Sequence, residues 1–267
     1  MTIIRRALPL LAVFAACLAR GEGLPADLLD VRLKLSADVA NAYISRAKVA
    51  EDRPIQVNDL RVDFGLWKFG RLGFWHWDFS ALTKRREHDY RRFLPETMWG
   101  IYWDYDWELA DGWTFKNEVM VDWDLYHGER SGSSPHDYEW RLRQSLENPY
   151  LTPYWLWRCG FERCRYNYFD VGLRHRFVLF GRLGVTPAVD FEFGDGHFIE
   201  LRYDGSHAAE LAAVSGSLTL DWPLTENLSV HAQLKQFGIV SDDGRNSAGG
   251  CHPRDFTYFQ CGVTLAF

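Results

Sequence analysis

The stretch WGIYWDYDWELADGWTFKNEVMVDWDL, residues 99–125, consists of two alternating runs joined at Ala110-Asp111-Gly112. In each run nearly every second residue is large and apolar, and the residues between them are mostly small or charged. Successive side chains of a strand point to opposite faces, so each run predicts a strand with one apolar and one polar face. A compact turn containing Asp-Gly joins two such strands into a β-hairpin. The predicted apolar face consists of Trp99, Ile101, Trp103, Tyr105, Trp107, Leu109, Trp113, Phe115, Val119, Val121, Trp123 and Leu125.

The aromatic character of this face on both strands favours a surface in contact with lipid. A soluble sheet would bury such a face, whereas a membrane barrel exposes it and keeps the carboxylates in a wet lumen. A soluble β-sandwich or a lipocalin-like barrel is the alternative, because both also alternate. An outward aromatic face, where a soluble barrel would be polar, weighs against that alternative. The predicted lipid belt includes Trp99, Trp103, Trp107, Trp113 and Trp123.

Composition supports the same fold class. The chain has 267 residues, of which 16% are aromatic and 47% apolar, and no stretch after residue 20 approaches the length of an apolar membrane helix, about 20 residues. A membrane protein without such a helix must be a closed barrel, because lipid cannot satisfy an open sheet edge. Alternating runs from residue 31 to residue 267 predict an all-β, antiparallel, up-and-down transmembrane barrel. We count twelve strands, and ten or fourteen remain alternatives.

The N-terminus predicts export. Arg5 and Arg6 precede an apolar run, and small residues follow near residue 21, which is the pattern of a cleaved secretory signal peptide. We therefore divide the chain into a signal peptide, 1–21, and an outer-membrane barrel, 22–267. Cys17 leaves with the peptide or carries lipid. Cleavage would remove three arginines and no acid from a chain of net charge −6, leaving −9, which argues against a nucleic-acid partner.

The final residues, DFTYFQCGVTLAF, 255–267, alternate up to a C-terminal aromatic residue. This ending resembles the closing strand of bacterial outer-membrane β-barrels. The resemblance implies that Phe267 faces lipid and helps the barrel-assembly machinery to recognise the chain. It also implies a location in the bacterial outer membrane, with membrane lipid and lipopolysaccharide as partners. The basic segment from Thr83 to Pro95 is the loop that we expect to face lipopolysaccharide or solvent.

A second, more local resemblance lies in the first predicted loop. Tyr43-Ile44-Ser45-Arg46, followed by Pro54-Ile55-Gln56, resembles the first-loop pattern of the TorF-like porins of Gram-negative outer membranes. In that pattern Tyr-x-x-Arg-Gly precedes Pro-x-x-Gln or a similar turn into the second strand. Ala47 stands at the glycine position here, and Gln56 follows the proline by two positions. The resemblance implies a porin and no particular substrate.

Charged residues in the inward phase of the strands predict the functional site. Acids and bases on different strands would set up a transverse field across a pore, which orients small polar solutes. Because the acids outnumber the bases, we expect a mild preference for cations. The alternative is a closed structural barrel whose lumen is filled by its own ion pairs. The predicted pore-lining residues are Asp104, Asp106, Glu108, Glu118, Asp122, Asp124, Arg141, Arg143, Arg174, Arg176, Asp190 and Glu192.

The sequence contains few residues in patterns that indicate catalysis or cofactor binding. A lipid-modifying hydrolase of the outer membrane is a further alternative, for which Asp204-Gly205-Ser206-His207 places three triad residue types together. Neighbours in sequence rarely form a triad, which is defined by geometry. We therefore expect no enzyme, no catalytic residue, no cofactor and no metal site. Cys159 and Cys164 flank a predicted hairpin tip, where export permits a disulfide.

Overall fold

The structure is a computed structural model, and it describes residues 30–44, 49–51, 53–82, 96–126, 136–161, 165–203, 208–240 and 255–267. Residues 32–267 form one compact unit. The predicted signal peptide, the basic segment from Thr83 to Pro95 and the sequence from Asp204 to His207 lie outside the described residues.

Fifteen strands, one 3₁₀ turn and one short α-helix make up the described part of the chain. Twelve of the strands are long, and the other three, β2, β3 and β11, have two or three residues each. In chain order the elements are β1 (Val31–Ala40), β2 (Tyr43–Ile44), β3 (Val49–Glu51), β4 (Ile55–Gly65), a 3₁₀ turn (Trp67–Phe69), β5 (Arg71–Ala81), β6 (Glu96–Ala110), β7 (Trp113–Tyr126), β8 (His136–Glu147), β9 (Thr152–Gly160), β10 (Tyr166–Arg174), β11 (Phe177–Leu179), β12 (Leu183–Gly194), α1 (Gly196–Tyr203), β13 (Glu210–Pro223), β14 (Leu228–Ile239) and β15 (Asp255–Ala266).

The twelve long strands form a closed antiparallel barrel. Each pairs with the next long strand of the chain, and β1 also pairs with β15, as in Lys34 opposite Ala266. The β10–β12 pairing bypasses β11, which pairs only with β12 among the described strands. The prediction of a twelve-stranded up-and-down barrel is therefore confirmed, and ten and fourteen strands are excluded. No helix within the described ranges is long and apolar enough to cross a membrane.

Three breaks interrupt the regular sequence of long strands. β1 ends at Ala40, and β2 pairs with β3 in a separate small sheet. Residues 175 and 176 separate β10 from β11. The segment after Gly194 contains α1.

Most connections alternate in length around the barrel. Short ones, such as Gly65 to Arg71 and Ala110 to Trp113, lie at one end, which we call the turn end, and the long ones lie at the opposite loop end. The short β9–β10 connection at the loop end is an exception. Gly112 has φ +73°, a left-handed conformation that glycine adopts without steric cost, and it completes the tight β6–β7 turn. The turn residues that the sequence predicted therefore close this hairpin.

The outer face of the barrel is apolar and exposed. Ile101 is 53% and Phe267 63% exposed, although both are large apolar residues. Along β15 exposure alternates as predicted, with Phe259, Cys261 and Val263 exposed and Tyr258, Gln260 and Gly262 covered. The register places Trp99 opposite Trp123 and Trp107 opposite Phe115, so the aromatic face is continuous across β6 and β7. A continuous exposed apolar face of this kind suits lipid and is unusual for a water-soluble surface.

The interior contains three apolar clusters besides its charged residues. The largest lies at the loop end, where α1 turns inward and its Phe198 and Ile199 are completely buried. The Phe198 ring lies 5.1 Å from the Tyr168 ring, and it occupies the space that a Cβ at Gly194 would need. A second cluster contains Ile55 and Phe79, and a third, near Trp75, contains Met98, Tyr102 and Met120.

Candidate functional site

The candidate site is the charged interior of the barrel. The register of neighbouring strands determines which charged residues lie side by side there. Asp104 on β6, Glu118 on β7 and Arg143 on β8 lie in one row across three neighbouring strands. Two residues nearer the loop end on β7, Met120 lies opposite Arg141, which in turn lies opposite Arg158 of β9. Because side chains of one row share a face, the inward phase brings charges of opposite sign together.

A first network neutralises charges near the loop end. The Arg141 Nε lies 2.5 Å from the Asp122 Oδ2 and 2.8 Å from the Glu139 Oε1. Arg158 Nη1 approaches the same Glu139 oxygen at 3.4 Å, and the Tyr166 hydroxyl donates to the other Glu139 oxygen. Asp122 is fully buried and Glu139 nearly so. Buried charges persist when they are paired and hydrogen-bonded, so these groups act as interior packing.

A second network joins β9, β10, β12 and β14. The Tyr154 hydroxyl donates to Asp190, and the Tyr168 hydroxyl donates to Glu192 at 2.7 Å. Lys235 Nζ lies 3.7 Å from the Asp190 Oδ2 and 3.6 Å from the Glu192 Oε1. The two predicted acids on β12 are thus buried and share one lysine.

A third group lies in the lumen at mid-depth. Arg61 of β4 reaches Glu118 of β7, with its Nη1 3.0 Å from the Glu118 Oε2. The Arg143 Nη1 lies 3.6 Å from the other oxygen of Glu118. The Arg143 side chain is half exposed, although it projects from the inner face of the barrel. The group therefore links β4 with β7 and β8 over the inner face of β5 and β6, and Arg143 faces open space.

That open space is a polar cavity of about 460 Å³. Its wall is formed by side chains of β1, β2, β4, β5, β8 and β15, so it extends across the lumen from one side to the other. Its volume lies within the range of small-molecule sites, about 300–1,000 Å³. The lining residues are Lys34, Ser36, Asp38, Tyr43, Val57, Asp59, Arg61, Trp77, Arg143, Tyr258 and Gln260.

The predicted residues nearest the turn end are the more accessible ones. Asp106 and Glu108 are exposed on the inner face of β6, and neither has an ion pair among the described residues. Asp104 is partly buried, and its Oδ1 has no hydrogen-bond partner there. The Arg174 Nη2 lies 2.5 Å from the Glu147 Oε1. The Arg176 guanidinium lies against the inner side of Gly184.

The structure therefore divides the predicted set among several places instead of one. Asp122, Arg141, Asp190 and Glu192 belong to the two buried networks, and Glu118 and Arg143 belong to the cavity region. Asp106, Glu108, Arg174 and Arg176 lie toward the turn end, and Asp104 lies in the row of Glu118. Asp124 lies opposite Asp137 in the β7–β8 register, and its side chain is outside the described set. Their role in lining a conducting path stays a prediction.

Sequence reasoning missed several interior residues. Glu139 and Arg158 complete the first network, and Lys235 completes the second. Glu139 shares the inward phase of Arg141 and Arg143, so the alternation on β8 was a sufficient signal. No comparable signal exists for the contact between Arg61 and Glu118, because their strands do not pair and the contact arises from the curvature of the sheet over β5 and β6.

The remaining chemical predictions concern a metal site and a disulfide. Within the described ranges, no group of three or more His, Cys, Asp or Glu residues is placed to hold a metal ion. Cys159 lies on β9 and Cys164 is outside the described residues, so the predicted disulfide stays a prediction.

Closure, register and the exposed apolar face together define the outer-membrane β-barrel class of fold. Among solved structures, an outer membrane channel from Pseudomonas putida F1 aligns with a TM-score of 0.52 and 9% identity, over 91% of this chain and 99% of that one. The NanC porin aligns with a TM-score of 0.50 and 12% identity, over 87% of this chain and 98% of that one. Outer membrane phospholipase A from Escherichia coli aligns with a TM-score of 0.46 and 14% identity, over 88% of this chain and 92% of that one.

No family model matches the chain, and no curated protein matches its sequence. At these identities the structural likeness shows the fold alone, because one fold supports many functions. The function must therefore be argued from the interior of the barrel.

Proposed function

We propose that the chain forms a channel in the bacterial outer membrane for small polar solutes, and that it is not an enzyme. The observation that carries the proposal is the polar cavity of about 460 Å³ inside a barrel whose outer face is apolar. A barrel that exposes apolar residues outward and polar residues inward offers solutes a path that lipid does not. Outer-membrane lipid and lipopolysaccharide are its proposed surroundings.

The proposal includes the path by which the chain reaches that membrane. A signal peptide at residues 1–21 would direct export, and Phe267 would be read by the barrel-assembly machinery. The exposed position of Phe267 at the end of β15 supports this role. Membership of the TorF-like porins rests on the first-loop pattern, which includes Tyr43, and it is part of the proposal.

The proposed mild cation preference rests on the turn-end acids. Asp122, Asp190 and Glu192 are paired within buried networks, so their charges contribute little to a passing ion. Asp106 and Glu108 are exposed and have no ion pair among the described residues. In a narrow lumen an unpaired carboxylate lowers the energy of a cation and raises that of an anion.

Planar-bilayer recording tests both parts of the proposal. Refolded protein should give discrete conductance steps, and its reversal potential under a KCl gradient should shift toward the potassium potential. Replacing Asp106 by Asn should reduce that shift. The matched control is Glu226→Gln in the exposed β13–β14 turn, which removes one negative charge outside the lumen and should leave the shift unchanged. Equal shifts in all three proteins would contradict the assignment of Asp106.

A closed structural barrel is the second candidate. The buried Asp122–Arg141–Glu139 network and the inward-folded α1 favour it, because both fill part of the interior. A correctly folded protein that inserts into bilayers without conductance would support this candidate and reject the channel.

A further inference from the structure

The mid-lumen cavity presents more accessible positive charge than its composition suggests. We propose that it is a binding site for the carboxylate of a small hydroxylated organic anion, with Arg143 and Lys34 as the charged contacts. This inference rests on the proposed channel function and names the solute class that the cavity selects.

The acids in the cavity wall are already occupied by donors of the protein. The Asp38 carboxylate lies 2.7 Å from the His231 Nε2 and accepts from the Gln260 Nε2 at 2.8 Å. Asp59 accepts from the Trp75 indole nitrogen at 2.7 Å. Carboxylates engaged in this way have little capacity left to bind a cation or the hydroxyl groups of a solute.

The bases of the cavity have donors to spare. Glu118 is one carboxylate shared by two guanidinium groups, with Arg61 Nη1 at 3.0 Å and Arg143 Nη1 at 3.6 Å. Arg61 Nε also lies 3.8 Å from the Asp59 Oδ1, so the two guanidinium groups are balanced by two carboxylates, and Arg143 keeps the weakest contact and the most accessible side chain. Lys34 is exposed and has no ion pair or hydrogen bond among the residues that the structure describes. The cavity thus has two cationic side chains that face open space.

A guanidinium with free N–H groups is matched to a carboxylate, because its planar fork can donate two parallel hydrogen bonds. The Arg143 Nη1 lies 3.6 Å from the Glu118 Oε1, which is a long distance for such a pair, and half of the Arg143 side chain is accessible. In the confined lumen, water screens such a charge less than it does at an open surface. Arg143 is therefore the strongest anion contact that the cavity offers.

The rest of the wall suits a ring that carries hydroxyl groups. The Trp77 and Tyr43 rings lie 5.3 Å apart and give one aromatic flank, and Tyr258 lines the same cavity. Ser36 adds a hydroxyl group that can donate or accept. Aromatic walls with a few polar groups are typical of small-molecule sites. A purely inorganic anion would leave these groups unused.

This local site and the cation preference of the turn end concern different parts of the lumen. Asp106 and Glu108 lie on β6, which contributes no residue to the cavity wall. Reversal potential reports the field along the whole path, whereas block by a bound solute reports the cavity. The two properties are therefore measured separately.

The test uses D-glucuronate and D-glucose, which share a ring and differ in one carboxylate. Added to conducting channels in a planar bilayer, glucuronate should reduce the open-channel current at concentrations where glucose has no effect. Arg143→Gln should weaken the glucuronate block at least tenfold, and Arg143→Lys should restore part of it. The matched control is Arg182→Gln, in the exposed turn between β11 and β12. Glucuronate should block this variant at the same concentration as the parent protein.

Isothermal titration of glucuronate into the refolded protein in detergent separates this inference from the channel proposal. If the protein conducts but glucuronate releases or absorbs no heat of binding, the proposed site is rejected and the channel proposal stands. The same holds if the parent protein and Arg143→Gln give equal heats of binding. Glucuronate binding that requires Arg143 in a protein that never conducts supports the site and rejects the channel. Circular dichroism of each variant confirms that the barrel is folded before either measurement.

Discussion

Asp38 and His231 contact each other across β15, the strand that lies between their own two strands. The Asp38 Oδ1 of β1 lies 2.7 Å from the His231 Nε2 of β14, and β15 runs between these strands. Both residues lie opposite Gly262 in their registers with β15. The side chains therefore meet over a position without a side chain, at the seam where the barrel closes.

Gly262→Ala should destabilise the barrel. A Cβ at this position would fall on the Asp38 carboxylate and lie 2.6 Å from the Ala37 carbonyl oxygen, which the β1 backbone holds in place. Overpacking of this kind costs about 1–3 kcal/mol. Equilibrium unfolding in guanidinium chloride with lipid vesicles measures the loss. The control is Gly216→Ala on β13, where nothing lies within 4 Å of the added Cβ, and an equal loss at both sites would contradict the explanation.

Phe198→Ala should release α1 from the loop end of the barrel. The side chain is fully buried against Tyr166, Tyr168 and Gly194, and removal of a buried phenylalanine side chain costs about 3–5 kcal/mol in soluble cores. Because α1 lies inside the barrel outline, its release should raise single-channel conductance. Phe177→Ala, which shortens an exposed outer side chain, should leave conductance at the parent value. Unchanged conductance in Phe198→Ala would show that α1 does not narrow the path.

Ile101→Arg should be costly if the outer face contacts lipid. Ile101 is exposed on the outer face of β6, away from both ends of the strand. Arginine on a lipid-facing strand near the bilayer midplane costs about 2–4 kcal/mol. The same substitution at Ser217, on the inner face of β13, places the charge in the lumen and should cost less. Unfolding free energies in vesicles compare the two, and equal costs would contradict the assigned facing.

Cys159 and Cys164 should be linked in protein exported to the periplasm. Two Cα atoms must lie about 4.4–6.8 Å apart for a disulfide, and five residues around a tight tip permit that separation. Mass spectrometry of non-reduced protein should show the linked peptide. Cys261→Ser, which removes an exposed outer cysteine, should leave that peptide unchanged. Two freely alkylated thiols at 159 and 164 would contradict the prediction.

The number and order of strands were accessible from the sequence because alternation is a local signal. Each hairpin, such as β6–β7, carries its own pattern and turn. Alternation alone does not say which face is outward. On β5 the aromatic residues Trp75, Trp77 and Phe79 lie in the interior, whereas on β6 Trp99 lies on the outer face. The difference depends on the neighbouring strands, which a single run does not reveal.

The site was less accessible because its contacts join distant segments. The ion pair between Arg61 and Glu118 spans two intervening strands, and the contact of Asp38 with His231 exists only in the closed ring. The helix α1 has no periodic pattern of its own, and its position follows from the packing of Phe198 over Gly194. Tertiary packing therefore determined what local propensity left open.

The pairing of β1 with β15 also constrains how fast the barrel can form. Asn41 donates to the Thr257 carbonyl oxygen from 216 residues away, and Gln260 reaches Asp38 from 222 residues away. Contacts of such long sequence separation must overcome loop-closure entropy before they contribute stability, and chains rich in them fold slowly. Until β15 arrives, β1 and β14 both present unpaired backbone groups that another chain can occupy. The chain is therefore exposed to aggregation until β15 pairs with both strands and closes the ring.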